Sequence, residues 1–251
     1  MCRFSVCTLL ALAGTVALAS AEEPLVGRKV ALLVGINDYS ETGLGNLKCA
    51  ERDATDLREV LVSKLGFDKR NVYLMTTTEA LTAKKVKLLP TSENIRSNLQ
   101  GLIKDLAKED TVFIAFSGHG VHLKALKEKG LHFCPSNTNL EKPETLLSLP
   151  ELYALLKDQC NAGLKVLVMD ACRSAPGDRR DDVESVTRPL IAKPEGGTVA
   201  LFSCSEGQFA FENEKVGRGF FTDSLIRGLS GEAANRDGEV TIPLLEDFLQ
   251  K

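Results

Sequence analysis

The chain has 251 residues, a net charge of −3 and 43% hydrophobic residues, which is enough apolar material for a substantial core. Without an excess of basic residues, and with no Trp, it is not expected to bind nucleic acid or an anionic membrane surface. The composition is that of an ordinary globular protein.

The first residues are typical of a secretory signal peptide. Arg3 precedes an apolar stretch at residues 6–18, and the small residues Ala19-Ser20-Ala21 then form a site of the kind that signal peptidase cleaves. We therefore expect residues 1–21 to be removed and residues 22–251 to form the mature domain of a secreted or periplasmic protein. No other segment is long and apolar enough to span a bilayer. A buried first helix is the alternative interpretation.

Strand and helix patterns alternate from residue 29 onward. Apolar runs predict strands at 29–35, 71–76, 111–117, 164–170 and 197–203, with a short strand at 131–134. Helical periodicity predicts helices at 49–65, 91–107, 149–160, 219–229 and 243–249. This alternation predicts one α/β domain with a mostly parallel sheet of about six strands and helices on both faces. The polar stretch with Lys84, Lys85 and Lys87 is expected at the surface.

One segment interrupts the alternation. Residues 174–196 mix Pro, Gly and charges of both signs without a hydrophobic period, which favours an exposed loop.

Two of the predicted strands lead into reactive residues. The third strand runs into Ser117-Gly118-His119-Gly120, and the strand at 164–170 runs into Ala171 and Cys172. Because the carboxyl ends of parallel strands share one crevice, we expect His119 and Cys172 to meet there as a base and a thiol nucleophile. The amides of Gly120 and Cys172 are candidates for an oxyanion hole. A structural histidine and a buried structural cysteine are the alternatives for each residue alone.

The segments Phe116–Gly120 and Asp170–Ser174 resemble the corresponding motifs of caspase-like cysteine peptidases, and most closely those of the bacterial metacaspase or orthocaspase type. Further similar segments lie at Ala31–Tyr39, Cys49–Ala54 and Gly219–Thr222. The resemblance extends over roughly residues 28–250. It implies a caspase–hemoglobinase fold and a cysteine-type endopeptidase with a His119–Cys172 dyad. A caspase-fold module that binds proteins without cleaving them is the alternative.

The resemblance also suggests a substrate preference. Metacaspase-like relatives bind Arg or Lys before the scissile bond with acidic residues, and Asp53 and Asp170 match those positions. Two carboxylates facing one cleft repel each other unless a cation is bound, so the pair favours a basic P1 side chain in the S1 pocket. The alternatives are a strand-end cap for Asp170 and a carboxylate favoured by a helix N-terminus for Asp53.

A basic P1 preference would give the segment at 174–196 a role. Its basic residues are candidate sites of self-cleavage: Arg179, Arg180, Arg188 and Lys193. A solvated loop is an equally good interpretation.

Calcium dependence is common among such relatives, and oxygen ligands could come from Asp178, Asp181, Asp182 or Glu184. However, Asn137 stands shortly after Pro135, where relatives often have Asp. We therefore assign no metal site. The three His and the absence of a C-x-x-C pair also give little support to a zinc site.

Five cysteines remain after residue 21, so at least one cannot form an internal disulfide. We expect Cys49, Cys160 and Cys204 to be small buried residues. The expected partner is a peptide or protein substrate, and the sequence makes no prediction of oligomeric state.

Overall fold

The computed structural model describes residues 27–121, 130–173, 197–203, 212–213 and 217–251. The strands are β1 (Lys29–Gly35), β2 (Val72–Met75), β3 (Thr111–Val121), β4 (His132–Phe133), β5 (Leu147–Ser148), β6 (Leu164–Arg173), β7 (Thr198–Phe202), β8 (Glu212–Asn213) and β9 (Arg218–Gly219). The helices are α1 (Ala50–Ser63), α2 (Thr77–Thr82), α3 (Ser92–Ile103), α4 (Leu149–Gln159), α5 (Phe220–Arg227) and α6 (Ile242–Leu249).

A seven-stranded sheet forms the centre of the molecule. Five parallel strands lie in the order β2–β1–β3–β6–β7, and β4 and β5 continue the sheet in antiparallel orientation beside the end of β3. β8 and β9 form a separate antiparallel pair. This architecture confirms the predicted α/β fold with a mostly parallel sheet.

Side-chain alternation along the strands divides the core into two layers. In β1, Val30, Leu32 and Val34 pack with the apolar face of α3 and α4. The intervening Ala31 and Leu33 pack with α1, α5 and α6. Helices therefore cover both faces of the sheet, as expected for strands that are apolar throughout.

The two central strands extend further than the apolar pattern predicts. β3 continues through His119 to Val121, and β6 continues through Cys172 to Arg173. The extension is possible because β3 and β6 pair with each other in register up to Gly120 and Arg173. β4 then pairs with β3 on the side where β1 has ended. The polar residues at the ends of β3 and β6 therefore stay in the sheet through backbone hydrogen bonds, although the sequence there has no apolar pattern.

Other elements differ from the prediction in detail. The short strand β4 lies within the predicted strand at 131–134, whereas β5, which raises the sheet from about six strands to seven, and helix α2 are additional elements. Lys84, Lys85 and Lys87 are exposed, as predicted. Cys49 and Cys160 are buried as predicted, whereas Cys204 lies outside the described residues. Within the described ranges, no helix has the length and apolar character needed to cross a membrane.

Candidate active site

His119 and Cys172 lie opposite each other on neighbouring parallel strands. Their Cα positions are partners in the β3–β6 register, and Ser117 is the partner of Asp170 two residues earlier. Because strand positions two apart share a face, these four positions lie on one face of the sheet, near its carboxyl edge. The structure therefore brings the backbones of the predicted base and nucleophile side by side, within strands rather than in loops beyond them.

The His119 side chain is buried and held by residues of the segment that follows β1. Its Nε2 lies 2.6 Å from the carbonyl oxygen of Gly45. Because a carbonyl can only accept, Nε2 carries the proton, and Nδ1 is the acceptor nitrogen of the neutral ring. The Tyr39 ring packs against the imidazole, with 4.6 Å between the ring centroids. These contacts fix both the orientation and the tautomer of His119.

The Tyr39 hydroxyl links β3, which carries His119, to the residue that follows β4. It accepts a hydrogen bond from the His119 backbone N–H at 3.0 Å and donates one to the Cys134 carbonyl at 3.0 Å. A Cβ at Gly118 would lie 2.5 Å from this hydroxyl and 3.0 Å from the Phe133 ring. Glycine is therefore required at position 118 for the hydroxyl to fit.

Backbone geometry bears on the predicted oxyanion hole. The Cys134 N–H donates to the His119 carbonyl at 2.9 Å, so the polar backbone groups of His119 face β4. Because these groups alternate in direction along a strand, the Gly120 amide faces β6, the strand that carries Cys172. An oxyanion hole formed by the Gly120 and Cys172 amides stays a prediction.

Asp53 and Asp170 converge beside these strands. Both are buried, at 3% and 7% exposure. Asp53, in the first turn of α1, accepts from the Gly219 N–H at 3.1 Å and from the Ser117 hydroxyl at 3.4 Å. Asp170 accepts from the Thr222 hydroxyl at 2.6 Å. The chain thus places two acidic side chains from α1 and β6 against the beginning of α5.

Gly219 separates the two carboxylates. A Cβ built on Gly219 would lie 3.0 Å from Oδ2 of Asp53 and 3.0 Å from Oδ2 of Asp170. Its backbone, at φ −64° and ψ 141°, is one that any residue adopts, so the glycine is needed for space and not for conformation. Both carboxylate oxygens thus border the same small space beside the Cα of Gly219.

An ion-pair cluster braces this region. Arg218 Nε lies 2.7 Å from Asp56 Oδ2 on α1, and Nη1 lies 3.1 Å from Asp223 Oδ1 on α5. The hydrogen bond to Asp56, followed by that to Asp223, raises the pKa of Arg218 above its ordinary value. The cluster holds β9 against α1, which keeps the Gly219 N–H within reach of Asp53.

Sequence reasoning assigned no role to several of these residues. Tyr39, Gly219 and Thr222 belong to segments that carry the family resemblance, and that resemblance is the signal that could have drawn attention to them. The contribution of Gly45 is a backbone carbonyl, which has no signature in the sequence. The Arg218 cluster depends on a contact between residues 162 positions apart.

Asn137 has a structural role in this protein. Its Oδ1 accepts from the Ser92 N–H at 2.9 Å at the beginning of α3, and its Nδ2 donates to Glu93 Oε2 at 3.0 Å. A carboxylate could not make the second contact and would repel Glu93. With its carboxamide engaged in this way, Asn137 does not fit a calcium ligand.

The remaining predictions cannot be placed in the structure. The candidate calcium ligands Asp178, Asp181, Asp182 and Glu184, and the candidate cleavage residues Arg179, Arg180, Arg188 and Lys193, lie outside the described residues, as does the segment 1–21. The described residues contain no group of three or more His, Cys, Asp or Glu arranged to hold a metal ion.

Comparison with known proteins gives concordant results. The family model described as "Caspase domain" matches residues 28–246. Metacaspase-6 of Arabidopsis thaliana is 30% identical over 147 residues, which cover 54% of this chain and 38% of that protein. Metacaspase-1B of Aspergillus niger is 33% identical over 94 residues, which cover 38% of this chain and 20% of that protein. The chain thus spans less than half the length of these relatives.

A structural comparison supports the same architecture. A crystal structure of a protein from Geobacter sulfurreducens superposes with a TM-score of 0.62 and covers 88% of both chains at 17% sequence identity. At that identity the similarity concerns the fold.

Proposed function

The chain belongs to the caspase-domain family, and on this basis we propose that it is a cysteine-type endopeptidase that cleaves peptides or proteins after Arg or Lys. The observation that carries the proposal is the pairing of His119 with Cys172 on adjacent strands. That pairing brings together the two residue types of a thiol-based acyl transfer. Similarity to metacaspases supports the same reaction class.

In the proposed mechanism, Nδ1 of His119 accepts the thiol proton of Cys172, and the thiolate attacks the scissile carbonyl. The Nε2–H of His119 keeps donating to the Gly45 carbonyl, so the imidazolium that forms stays oriented. The amides of Gly120 and Cys172 stabilise the oxyanion, and His119 then gives its proton to the leaving amine. Water, activated by the same imidazole, hydrolyses the acyl-enzyme and restores the thiol.

The P1 preference is proposed from the convergence of Asp53 and Asp170. Two buried carboxylates next to the gap at Gly219 favour a cationic group between them. An Asp side chain at P1 would add a third negative charge to the same site, so substrates with P1 Asp should be rejected.

Hydrolysis of fluorogenic peptides that differ only at P1 tests this function. We expect the wild type to cleave after Arg and Lys, and neither Cys172→Ala nor a mock preparation to do so. Glu59→Gln, which removes a negative charge at an exposed position of α1, should match the wild type. Measurements with calcium and with a chelator determine whether the metal is needed. Absence of hydrolysis under every condition would contradict the proposal and favour a non-catalytic interaction module.

Self-cleavage in the segment 174–196 is part of the same proposal. After incubation of the purified protein, new termini should appear at Arg179, Arg180, Arg188 or Lys193 in the wild type. The same termini in Cys172→Ala would contradict self-cleavage. The N-terminus of the protein recovered from outside the cytoplasm tests the proposed export, for which residue 22 is expected to be first.

A further inference from the structure

The turn that follows α2 presents an unusual surface. Residues 81–87, which comprise the end of α2 and the turn after it, are all exposed, and the two larger aliphatic side chains among them, Leu81 and Val86, are exposed by 69% and 74%. Lys84, Lys85 and Lys87 lie in the same turn. Aliphatic side chains this exposed, next to lysines, indicate a surface that binds something.

Hydrogen bonds hold this turn in one conformation. The Lys84 N–H donates to the Leu81 carbonyl at 3.2 Å, and the Lys85 N–H donates to the Ala80 carbonyl at 2.9 Å, in the pattern of a Schellman motif. The side chains of Asn94 and Asn98 on α3 donate to the carbonyls of Val86 and Lys87, at 3.0 and 2.9 Å. The surface is therefore preorganised, which lowers the entropic cost of binding.

Lys84 occupies a position that glycine usually fills. Its φ of 54° lies in the left-handed region, and it is the non-glycine residue with positive φ among those described. Such a conformation is unfavourable for a long side chain. A lysine at this position costs stability, which is consistent with a need for its charge.

The charge of the turn contrasts with that of the whole chain, which is −3. No acidic residue occurs from Ala80 to Ser92. None of the three lysines forms an ion pair with a residue in the described part of the chain. Glu79, which precedes the segment, is 3.4 Å from Arg58, and Glu93, which follows it, accepts from Asn137. The lysines thus face solvent as a local positive patch.

The turn lies at the same edge of the sheet as His119. It follows the carboxyl end of β2, and the Glu51 carboxylate at the beginning of α1 accepts from the N–H groups of Thr77 and Thr78. At the other end, the N–H and hydroxyl of Ser136 donate to the Pro90 carbonyl, next to the strand that pairs with β3. From Ser92, α3 leads back to the opposite edge, where β3 begins.

We propose that residues 81–87 form an exosite that binds an acidic, aliphatic segment of a protein substrate, outside the part that is cleaved. The inference rests on the proposed endopeptidase function. Carboxylates complement the three lysines, and aliphatic side chains complement Leu81 and Val86. A peptide is favoured over a lipid surface because so few basic and aliphatic residues give only weak membrane attachment.

Binding of a labelled peptide of alternating Glu and Leu to the full-length Cys172→Ala protein tests the exosite, with fluorescence anisotropy as the readout. The double substitution Lys85→Ser/Lys87→Ser should weaken binding about tenfold at low salt, and added salt should reduce the difference. The matched control Lys104→Ser/Lys108→Ser makes the same charge change at exposed positions near the opposite edge of the sheet. Equal loss in both double variants would overturn the proposal.

A second variant separates binding from folding. Lys84→Gly removes one charge and relieves the left-handed backbone, so its thermal midpoint should rise while peptide binding weakens about two- to threefold. Unchanged binding in this variant, together with unchanged binding in Lys85→Ser/Lys87→Ser, would contradict the exosite.

Cleavage assays distinguish failure of the exosite from failure of the proposed function. Active protein should cleave a substrate carrying the Glu-Leu segment more efficiently than one carrying a Ser-Leu segment at the same scissile Arg. Equal rates would overturn the exosite and leave the endopeptidase function intact. Absence of cleavage of both substrates by the active protein would contradict the proposed endopeptidase function. Sedimentation with phosphatidylglycerol vesicles, without any binding of the peptide, would assign the surface to lipid instead.

Discussion

The two ends of the central sheet both hold buried carboxylates, but those carboxylates have different partners. At the end where β3 begins, Asp110 accepts from the backbone N–H and the guanidinium of Arg28, at 2.6 and 2.9 Å, and from the Ala107 N–H at 2.9 Å. At the opposite end, the hydrogen bonds described for Asp53 and Asp170 come from a backbone N–H and from hydroxyl groups.

Asp110 therefore acts as a stabilising carboxylate, whereas substrate binding is the role that we propose for Asp53 and Asp170. Burial tends to raise the pKa of Asp110, but the hydrogen bonds from Ala107 and Arg28 outweigh it and hold the pKa below its ordinary value. A cation of the chain itself therefore accompanies that charge. Under the proposed function, a substrate cation would lie next to Asp53 and Asp170. Changes at the two ends should thus affect different properties of the protein.

The largest expected effect is on activity, at the site. His119→Ala removes the base, and we expect kcat/KM to fall by about a thousandfold or more. Because the imidazole is buried against Tyr39 and bonded to the Gly45 carbonyl, the free energy of unfolding should also fall, by about 1–3 kcal/mol, so kcat/KM is compared per folded molecule. Peptide hydrolysis and urea unfolding measure the two quantities. Activity within tenfold of the wild type would show that His119 is not the base.

At the end of the sheet where β3 begins, substitution of Asp110 should lower the free energy of unfolding. Asp110→Asn places an NH₂ group against the N–H donors that now face Oδ2, which should cost about 2–3 kcal/mol because Arg28 is half exposed and can partly rearrange. The kcat of the folded protein should not change. Asp105→Asn, at an exposed position of the same connection, is the matched control. A selective loss of kcat in Asp110→Asn would erase the distinction between the two ends.

The same carboxylate predicts a pH dependence of stability. Because the folded-state pKa of Asp110 is lower than its ordinary value of 3.8, its contribution is fully present above that value. It is lost as the pH falls through the lower folded-state pKa. Urea midpoints should therefore fall more steeply below about pH 4 in the wild type than in Asp110→Asn. Parallel curves would contradict this assignment.

A smaller effect is expected from the hydroxyl groups of two tyrosines. Tyr39→Phe leaves the His119 N–H and the Cys134 carbonyl without their shared partner, which should cost about 1–3 kcal/mol and lower kcat more than it changes KM. The buried Tyr153 hydroxyl has no hydrogen-bond partner among the described residues, and burial raises its pKa to about 12. Tyr153→Phe should therefore be nearly neutral. Similar effects of the two substitutions would mean that Tyr39 does not position His119.

The smallest expected effect comes from adding a Cβ at Gly219, where the surrounding space is limited but the backbone conformation is one that alanine adopts. Gly219→Ala should raise KM for a P1 Arg peptide about tenfold, because its Cβ would occupy the gap between the carboxylates. The free energy of unfolding should fall by about 1–2 kcal/mol, because the Cβ would crowd two buried carboxylate oxygens even though the backbone suits alanine. Gly101→Ala, at an open position of α3, should leave KM unchanged and stabilise the helix by about 0.5–1 kcal/mol. An unchanged KM in Gly219→Ala would place the substrate cation elsewhere.

The comparison of the two ends also shows where the sequence is informative. Apolar periods define the inner parts of β1, β3, β6 and β7, because burial on both faces requires such runs. The polar ends of β3 and β6 carry no such period, and their extension depends on pairing with each other and with β4. Helix α2 has six residues, too few for a recognisable period.

The candidate site likewise contains residues that the sequence predicts and one group that it does not. His119, Cys172, Asp53 and Asp170 were predicted from strand ends and family resemblance, and the structure places their backbones or side chains at one edge of the sheet. The Gly45 carbonyl could not be predicted, because every residue has such a group and only the tertiary fold selects one.

We propose above all that Asp53 and Asp170 bind a substrate cation beside a catalytic pair formed by His119 and Cys172. The most direct test is the ratio of kcat/KM for two peptides identical except for Arg or its neutral isostere citrulline at P1. We expect wild-type protein to favour Arg about a hundredfold, and Asp53→Asn and Asp170→Asn to bring the ratio close to one. A ratio that is close to one in the wild type, or unchanged in both variants, would contradict the account.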